Sequence, residues 1–448
     1  MTDPLTIQPF TRPVRGRVTL PGSKSITNRA LILAALSKES LTLEAALFSD
    51  DTRIMANALR ALGITVSEDE AGKEIFVNGC GGQIPNAEAE IYVGNAGTAA
   101  RFLTAMLCLR KDGVFKLDGS APMRKRPMRG LLDALVAHGA AEVEYHGEEG
   151  YFPFTLKTKG MPGGELSVDA SASSQILSAL LMIAPFADGP LTITLAGETV
   201  SHPFIGMTLA MIEQFGVEPQ GESDTGPFTF NGGGAYYYPR PAYVVEPDAT
   251  AASYYAILPW VVGGSLNLER CYGIGLQGDI KFVEAIQPLG AFFNVDENDL
   301  VAEFRERKTP GVDINFNPIS DTFLTLAAIT PLLDGPTTIS GIAHTRHQET
   351  DRINAMATEL RKLGQRVEET DDSMTVYPDK AAMIAKTADA PLAIDTYEDH
   401  RVAMSFGILG SHDLHGDGRA WITINDPGCC AKTFPNFFEV LSNLRLHP

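Results

Sequence analysis

One pattern of apolar and polar positions occurs five times along the chain: the apolar end of a helix, then a glycine, then the start of a strand. Glycine in this place is the usual left-handed residue that ends a helix, and valines such as Val66 and Val367 then begin strands. Successive copies lie 76, 77, 74 and 74 residues apart, counted between Gly63, Gly139, Gly216, Gly290 and Gly364. This even spacing indicates an internal repeat of about 75 residues.

A second predicted helix in each repeat begins at a polar residue and continues into small apolar residues. Turns and strands follow it, as in residues 188–194 and 263–268. Each repeat is therefore a βαβαββ-like unit, which places the chain in the α/β class. Six such helix starts are present, near Asn28, Thr98, Ser173, Thr250, Asp321 and His400.

The six units are predicted to form two globular domains of three units each. A proline-bearing aromatic segment, residues 236–243, has the composition of a linker, and a Pro21-Gly22 turn precedes the first unit. We therefore predict one domain over residues 23–240 and a second over residues 1–22 together with 241–448.

Composition limits the classes of function. The formal net charge of −19 argues against general nucleic-acid binding, which normally requires a basic surface. The five cysteines contain no C-x-x-C pair, which is typical of a reduced, cytoplasmic protein. The longest apolar run, residues 176–187, is too short to span a bilayer. We expect a cytoplasmic enzyme, acting as a monomer, with no nucleic-acid or membrane partner.

Residues 20–30, Leu-Pro-Gly-Ser-Lys-Ser-Ile-Thr-Asn-Arg-Ala, place hydroxyls and two cations at the start of the first predicted helix. Free N–H groups and the helix dipole favour an anion there. A P-loop would need G-x-x-x-x-G-K-[ST], and no glycine precedes Gly22 at that spacing. A lysine in a capped surface turn would explain this stretch alone. The recurrence of similar stretches favours an anion site.

Other predicted helix starts carry the same residue types. Lysine, arginine, serine and threonine at helix N-termini suit small polyanionic substrates, although caps and solvated helix starts are the alternative. Arg126 precedes Pro127 at a predicted first helical turn, where a cation is unfavourable without an anion. The candidate residues are Lys24, Ser25, Arg29, Asn95, Gly97, Thr98, Arg101, Arg126, Ser173, Ser174, Gln175, Ser201, Arg352, Arg401 and Lys432.

Two carboxylates are placed for proton transfer. Asp321 begins a strongly apolar helix, and Glu349 lies between Arg346 and Arg352. The alternatives are an N-cap for Asp321 and a surface ion pair for Glu349. His400 is a further catalytic candidate, although a lone histidine is more often structural.

Eight motifs in this order resemble those of the EPSP synthase family, the 3-phosphoshikimate 1-carboxyvinyltransferases. They span nearly the whole chain. The matching segments are residues 20–25 with Asn28 and Arg29, 94–99 with Arg101, 123–127, 173–175, 277–279, 349–352, 399–401 and 431–435.

The resemblance implies a two-domain inverted α/β barrel with its active site in the interdomain cleft. It implies transfer of the enolpyruvyl group of phosphoenolpyruvate to the 5-hydroxyl of shikimate 3-phosphate, without metal or cofactor. Residues implied to hold shikimate 3-phosphate are Ser25, Arg29, Ser173, Ser174, Gln175, Ser201 and Asp321. Residues implied to hold phosphoenolpyruvate are Lys24, Gly97, Arg126, Arg352, Arg401 and Lys432.

For the chemistry, the resemblance points to addition followed by elimination. We assign Asp321 as the base toward the 5-hydroxyl, with Glu349 and Lys24 handling the proton on the methylene carbon. His400 completes the expected catalytic set.

Three residues depart from the family pattern. Phe102 stands where proline is usual, and we expect it to reposition the helix behind Gly97 and so alter inhibition by glyphosate, which occupies the phosphoenolpyruvate site in this family. His344 and Gln348 stand where asparagine and lysine commonly contact shikimate 3-phosphate. Gln348, itself a candidate substrate contact, removes a cation, so we expect either weaker binding or the use of a neighbour such as His347.

Two alternatives share the expected architecture. UDP-N-acetylglucosamine enolpyruvyl transferase carries a reactive cysteine in a mobile loop, and the corresponding residues 119–129 contain none. A catalytically silent phosphate-binding protein would lack the acid and base residues, yet Lys24, Asp321, Glu349 and His400 are present.

Overall fold

A computed structural model describes residues 3–197, 202–220, 225–271, 275–304 and 310–446. The chain separates into two compact units. We call Gly22–Glu246 the N unit, and Met1–Pro21 together with Pro247–Pro448 the C unit.

The strands of the described ranges are short, with three to eight residues each. In chain order they are β1 Leu5–Ile7, β2 Val14–Val18, β3 Leu41–Glu44, β4 Val66–Asp69, β5 Glu74–Val77, β6 Glu88–Tyr92, β7 Lys111–Asp118, β8 Ala141–Tyr145, β9 Phe154–Lys159, β10 Gly164–Val168, β11 Leu191–Leu195, β12 Phe228–Phe230, β13 Ala242–Val244, β14 Gly264–Leu268, β15 Ala291–Asp296, β16 Asp299–Phe304, β17 Asp313–Asn315, β18 Thr337–Ser340, β19 Arg366–Glu369, β20 Met374–Tyr377, β21 Leu392–Ile394 and β22 Ile422–Ile424.

Helices alternate with these strands. In chain order they are α1 Lys24–Leu36, α2 Asp50–Ala61, α3 Gly97–Leu107, α4 Arg129–Ala137, α5 Ser174–Ile183, α6 His202–Gln214, α7 Ala249–Val262, α8 Phe282–Ala285, α9 Phe323–Ile329, α10 Arg352–Lys362, α11 Lys380–Lys386, α12 His400–Gly410 and α13 Phe437–Leu446. Within the described ranges, no helix has the length and apolar character needed to cross a lipid bilayer.

Each unit contains three sheets in its described residues. Their strand orders are β13-β3-β5-β4, β6-β7-β9-β8 and β10-β11-β12 in the N unit, and β15-β16-β14-β2, β17-β18-β20-β19 and β1-β22-β21 in the C unit. Every sheet combines one parallel pair with antiparallel neighbours. The recurrence of this arrangement reflects the repeat in the sequence.

Two strands that lie next to a chain crossing pair with strands distant in sequence. β2 precedes α1, yet it pairs in parallel with β14 of the C unit, with Val14 opposite Gly264. β13 precedes α7, yet it pairs in parallel with β3 of the N unit, with Ala242 opposite Thr42. Each unit therefore completes one sheet with a strand that lies next to a chain crossing.

Within the described residues, the core of each unit contains three helices that are apolar on nearly every face. All of α3 is buried in the N unit, where α3 packs against α1 and α5. All of α9 and α12 is buried in the C unit, where both pack against α7. Helices with apolar residues all round are stable only inside a core. Their polar N-terminal residues are the exception to this apolar character.

The repeat glycines end helices in the predicted way. Their φ angles lie between 80° and 85° at Gly63, Gly139, Gly216, Gly290 and Gly364. This left-handed conformation costs a residue with a Cβ about 1 kcal/mol or more, which explains glycine at each position.

The helix starts differ from the prediction in two informative places. Asp321 lies in a 3₁₀ segment, Asn317–Thr322, directly before α9, so it does not cap an α-helix. α4 begins at Arg129, so the prediction that Pro127, directly after Arg126, is the first helical residue is wrong. Arg126 has an extended backbone after the 3₁₀ segment Met123–Lys125, because Pro127 disfavours a helical residue before it.

Candidate active site

The start of α1 is held close to a neighbouring backbone. A Cβ on Gly22 would lie 2.1 Å from the carbonyl oxygen of Ala45, so only glycine fits there. Ser23 caps the helix by accepting a hydrogen bond from the amide of Ile26 at 3.4 Å. The Lys24 Nζ lies 3.4 Å from the Asp51 Oδ2, and both side chains are largely buried. Lys24 is thereby held at the positive end of a helix.

Arg29, one turn further along α1, is a buried cation whose hydrogen bonds within the described residues all go to neutral oxygens. Its guanidinium donates to the Thr208 Oγ1 at 2.8 Å and to the Ser178 Oγ at 3.1 Å. It also donates to the carbonyl oxygens of Ser25 and Phe204, at 3.1 and 3.3 Å. Burial lowers the pKa of Arg29 to about 9, so the group stays charged at neutral pH. A buried cation in this setting favours an anionic ligand.

A second cationic cluster surrounds the start of α3. Arg101 is buried and donates to the carbonyl oxygen of Gly97 at 3.2 Å and to that of Pro127 at 2.8 Å. Arg126 donates to the carbonyl oxygen of Asn95 at 3.5 Å. No side chain caps α3, whose first residues Gly97 and Thr98 are both buried. Amides without a capping side chain, beside two arginines, have the polarity to accept an anion.

The start of α5 is hydroxyl-rich. Ser173 caps the helix by accepting a hydrogen bond from the amide of Gln175 at 3.3 Å. Ser174 is buried, and the Gln175 Oε1 is buried with no hydrogen-bond partner among the described residues. Such an amide oxygen can accept from a bound ligand. The candidate Ser201 lies outside the described residues.

The remaining cations of residues 124–129 are on the surface. Arg124 forms two hydrogen bonds with Asp118, at 2.9 and 2.6 Å, and Arg129 pairs with Glu149 at 3.1 Å. Exposed ion pairs of this kind contribute little to the free energy of unfolding. Arg126 differs from these neighbours because it is half-buried and its guanidinium lies beside Gly97.

A buried ion-pair network occupies the C unit. Arg352 lies at its centre and is 1% exposed. Its guanidinium is 2.9 Å from the Asp321 Oδ1, 2.8 Å from the Glu349 Oε2 and 2.7 Å from the Asp399 Oδ2. It also donates to the side-chain oxygen of Gln348. The sequence-predicted Asp321, Glu349 and Arg352 are thus brought together.

Two further cations extend this network. Arg401 lies 2.7 Å from the Asp321 Oδ2, and Lys432 lies 2.9 Å from the Glu349 Oε1. Each of the two predicted acid–base carboxylates therefore bridges two cations. Because an anionic ligand would compete with the carboxylates for the same cations, binding of one would release Asp321 or Glu349 for proton transfer.

Histidines lie on two sides of the network. His400 is fully buried at the start of α12, and its Nδ1 is 3.6 Å from the Asp399 Oδ1. His344 hydrogen bonds to the Ser320 Oγ at 2.8 Å. Burial lowers the pKa of His344, although the charge of Asp321 opposes that shift. Burial therefore disfavours the cationic form of His344.

A family model described as EPSP synthase (3-phosphoshikimate 1-carboxyvinyltransferase) matches residues 10–441. The chain belongs to the EPSP synthase family. The 3-phosphoshikimate 1-carboxyvinyltransferase of Opitutus terrae is 50% identical over 450 residues, covering 99% of this chain and 98% of the relative. The chloroplastic 3-phosphoshikimate 1-carboxyvinyltransferase of Petunia hybrida is 39% identical, covering 99% of this chain and 85% of the relative.

Solved structures share the fold of this EPSP synthase family member. The EPSP synthase of Acinetobacter baumannii has a TM-score of 0.77 and 24% identity, covering 98% of each chain. The enolpyruvyl transferase NikO of Streptomyces tendae has a TM-score of 0.74 and 17% identity, covering 99% of this chain and 98% of its own. The predicted α/β class and inverted α/β barrel are confirmed.

Three carboxylates of this EPSP synthase family member make contacts that were not predicted from the sequence. Ser49 caps α2, and Asp51 in the first turn of that helix pairs with Lys24. Asp399 caps α12 and also binds Arg352. Asp279 is buried and accepts a hydrogen bond from the Thr250 hydroxyl. Both Asp399 and Asp279 lie in segments that matched the family motifs, which was the available signal.

Proposed function

We propose that the protein transfers the enolpyruvyl group of phosphoenolpyruvate to the 5-hydroxyl of shikimate 3-phosphate, releasing phosphate. The observation that carries this proposal is the position of Asp321 and Glu349, each held between two buried cations. Both substrates are anions whose reaction needs proton transfer at two atoms. The network supplies positive charge and carboxylates in the same place.

We assign substrate contacts residue by residue. Shikimate 3-phosphate is held by Ser25, Arg29, Ser173, Ser174, Gln175, Ser201, Asp321 and Gln348. Phosphoenolpyruvate is held by Lys24, Asn95, Gly97, Thr98, Arg126, Arg352, Arg401 and Lys432. Support comes from the buried guanidinium of Arg29 and from the amides and arginines at the start of α3.

The reaction proceeds in two steps. In the addition, the 5-hydroxyl oxygen bonds to C2 of phosphoenolpyruvate, Asp321 accepts the hydroxyl proton, and C3 gains a proton to become a methyl group. In the elimination, the bond from C2 to the phosphate oxygen breaks and the methyl group returns a proton. Glu349 and Lys24 handle the C3 proton, and general acid–base catalysis of this kind contributes about 10²- to 10⁴-fold.

Positive side chains lower the barrier to phosphate departure. Arg352, Arg401 and Lys432 hold charge that develops on the leaving group, as bidentate guanidinium groups do for phosphates. His400 lies beside Asp399, which orients Arg352. We assign His400 an indirect role, in which it acts on the position of Arg352 through Asp399.

Phosphate release tests the function. It is measured with both substrates, with each omitted in turn, and with UDP-N-acetylglucosamine in place of shikimate 3-phosphate. We expect release only when shikimate 3-phosphate and phosphoenolpyruvate are both present. Release with the nucleotide sugar would identify the other transferase, and no release in any mixture would favour a phosphate-binding protein.

We propose that the two three-repeat domains correspond to residues 23–240 and to residues 1–22 with 241–448. We also propose that the enzyme acts as a monomer in the cytoplasm. Glyphosate-like inhibitors are proposed to compete with phosphoenolpyruvate. The five free thiols support a reduced compartment.

A further inference from the structure

Phe102 lies under the guanidinium of Arg29. The Arg29 Cζ is 5.2 Å from the centroid of the Phe102 ring, and Phe102 is fully buried. The Phe204 ring of α6 lies 5.9 Å from the same carbon. Both distances fall within the range of about 6 Å over which an aromatic face attracts a cation. Arg29 is therefore flanked by two aromatic rings.

The rings matter because Arg29 has no counter-ion in the part of the chain that the structure describes. Its four hydrogen bonds all go to hydroxyl or carbonyl oxygens. In a buried site, such a charge depends on fixed dipoles and on the negative faces of aromatic rings. The quadrupole of Phe102 is thus part of what keeps Arg29 charged and oriented.

Phe102 is directed away from the cluster at the start of α3. Arg101, the preceding residue, turns back to the carbonyl oxygen of Gly97, one helical turn earlier. Successive helical residues differ by about 100° around the axis, so Phe102 lies on another face of α3. That face contacts Arg29 of α1.

We propose that Phe102 is a positioning residue for Arg29 and thereby sets the affinity of the enzyme for shikimate 3-phosphate and not for phosphoenolpyruvate. This inference rests on the proposed function, which assigns Arg29 to shikimate 3-phosphate. A proline, usual in the family at this position, has no ring face to offer a cation.

Fluorinated phenylalanines test the inference because fluorine weakens the ring quadrupole with little change in shape. Phenylalanine at position 102 is replaced with mono-, di- and trifluorophenylalanine, and KM is measured for both substrates with kcat. We expect KM for shikimate 3-phosphate to rise stepwise, by about tenfold over the series. KM for phosphoenolpyruvate should stay within about twofold.

The matched control is the same series at Phe115, a fully buried phenylalanine in β7 of the N unit. It should leave both KM values unchanged. Phe102→Leu, which removes the ring, should raise KM for shikimate 3-phosphate at least as much as trifluorination.

The inference is overturned if KM for shikimate 3-phosphate is flat across the series at position 102, or if both KM values rise together. A flat series in an active enzyme removes only the role of Phe102. An unmodified enzyme that neither turns over nor binds shikimate 3-phosphate in calorimetry removes the proposed function, and the inference with it.

Discussion

The Arg126 guanidinium occupies the space beside Gly97 that any side chain would need. A Cβ on residue 97 would lie 2.5 Å from the Arg126 Nη2 and 2.9 Å from the Arg101 Nη1. Real Cβ atoms do not approach other atoms so closely. Glycine at this position is therefore favoured by the arginines and not by backbone conformation, since a Cβ would have to displace the ends of their side chains.

Gly97→Ala should weaken phosphoenolpyruvate binding. Arg126 must move to admit the methyl group, and we expect KM for phosphoenolpyruvate to rise about tenfold, since displacing one charged hydrogen-bond donor costs about 1.5 kcal/mol. KM for shikimate 3-phosphate should change little in steady-state kinetics. Gly189→Ala is the control, because a Cβ there meets nothing within 4 Å. Equal KM values in Gly97→Ala and the parent would contradict the assignment.

Asp321→Asn should abolish deprotonation of the 5-hydroxyl while keeping the shape of the side chain. We expect kcat to fall by about 10²- to 10⁴-fold. Binding of shikimate 3-phosphate, followed by calorimetry, should persist. Near-normal turnover in Asp321→Asn or Asp321→Ala with both substrates bound would remove Asp321 as the base.

Glu349→Gln should impair proton transfer at the methylene carbon. In D₂O the active enzyme should place deuterium on that carbon, because addition delivers a deuteron to C3 and elimination then removes one of the three methyl hydrogens. We expect incorporation to fall by about 100-fold or more in the variant. Glu369→Gln, which alters a surface pair with Arg361, is the control. Unchanged incorporation in Glu349→Gln would assign the proton to another group.

Phe102→Pro should change the inhibition constant of glyphosate. Position 102 lies inside α3, where proline removes an N–H and clashes with the preceding turn, at a cost of about 3 kcal/mol. The first residues of α3 must shift, and Gly97 is among them. The constant is measured at saturating shikimate 3-phosphate, with Phe102→Leu as the control that keeps the helix intact. If Phe102→Pro leaves the constant unchanged, the departure from the family pattern has no effect on this inhibitor.

Asp279→Asn should remove a pH dependence of stability. Burial and the charges of Asp321 and Asp248 raise the pKa of Asp279 to about 7, against opposing effects of Thr250 and Arg401. The folded state therefore holds a proton that the unfolded chain releases near pH 4. The proton on Asp279 stabilises the folded state fully below about pH 4. This stabilisation is lost as the pH rises to about 7, by up to about 1.4 kcal/mol of unfolding free energy per pH unit.

Melting temperatures from pH 5 to 8 measure this effect. The melting temperature of Asp279→Asn, relative to that of the parent, should rise as the pH increases to 7 and then stay constant. The exposed Asp371→Asn is the control and should show a constant difference. A constant difference for Asp279→Asn would mean that Asp279 is ionised throughout.

The repeat could be predicted from the sequence because it depends on local signals. A glycine such as Gly364 needs only its own backbone conformation to end a helix, and its φ of 85° bears this out. The helix starts were placed within a few residues for the same reason. Arg126 was the exception, since its environment comes from the extended backbone before Pro127 and from contact with Gly97.

The pairing of charges could not be predicted because it depends on contacts between distant positions. Arg401 meets Asp321 across 80 residues, and Arg29 meets Thr208 across 179. Nothing local distinguishes the fully buried Arg352 from the half-buried Arg346, two arginines that flank the same glutamate. Only packing decides which cation is buried.

Product formation tests the central claim most directly. Phosphorus NMR of the enzyme mixed with shikimate 3-phosphate and phosphoenolpyruvate follows both substrates at once. We predict that phosphoenolpyruvate is lost in a one-to-one ratio with the appearance of free phosphate and of a new phosphomonoester, the enolpyruvyl ether of shikimate 3-phosphate. Phosphate appearing with shikimate 3-phosphate unchanged, or both substrates persisting, would contradict the account.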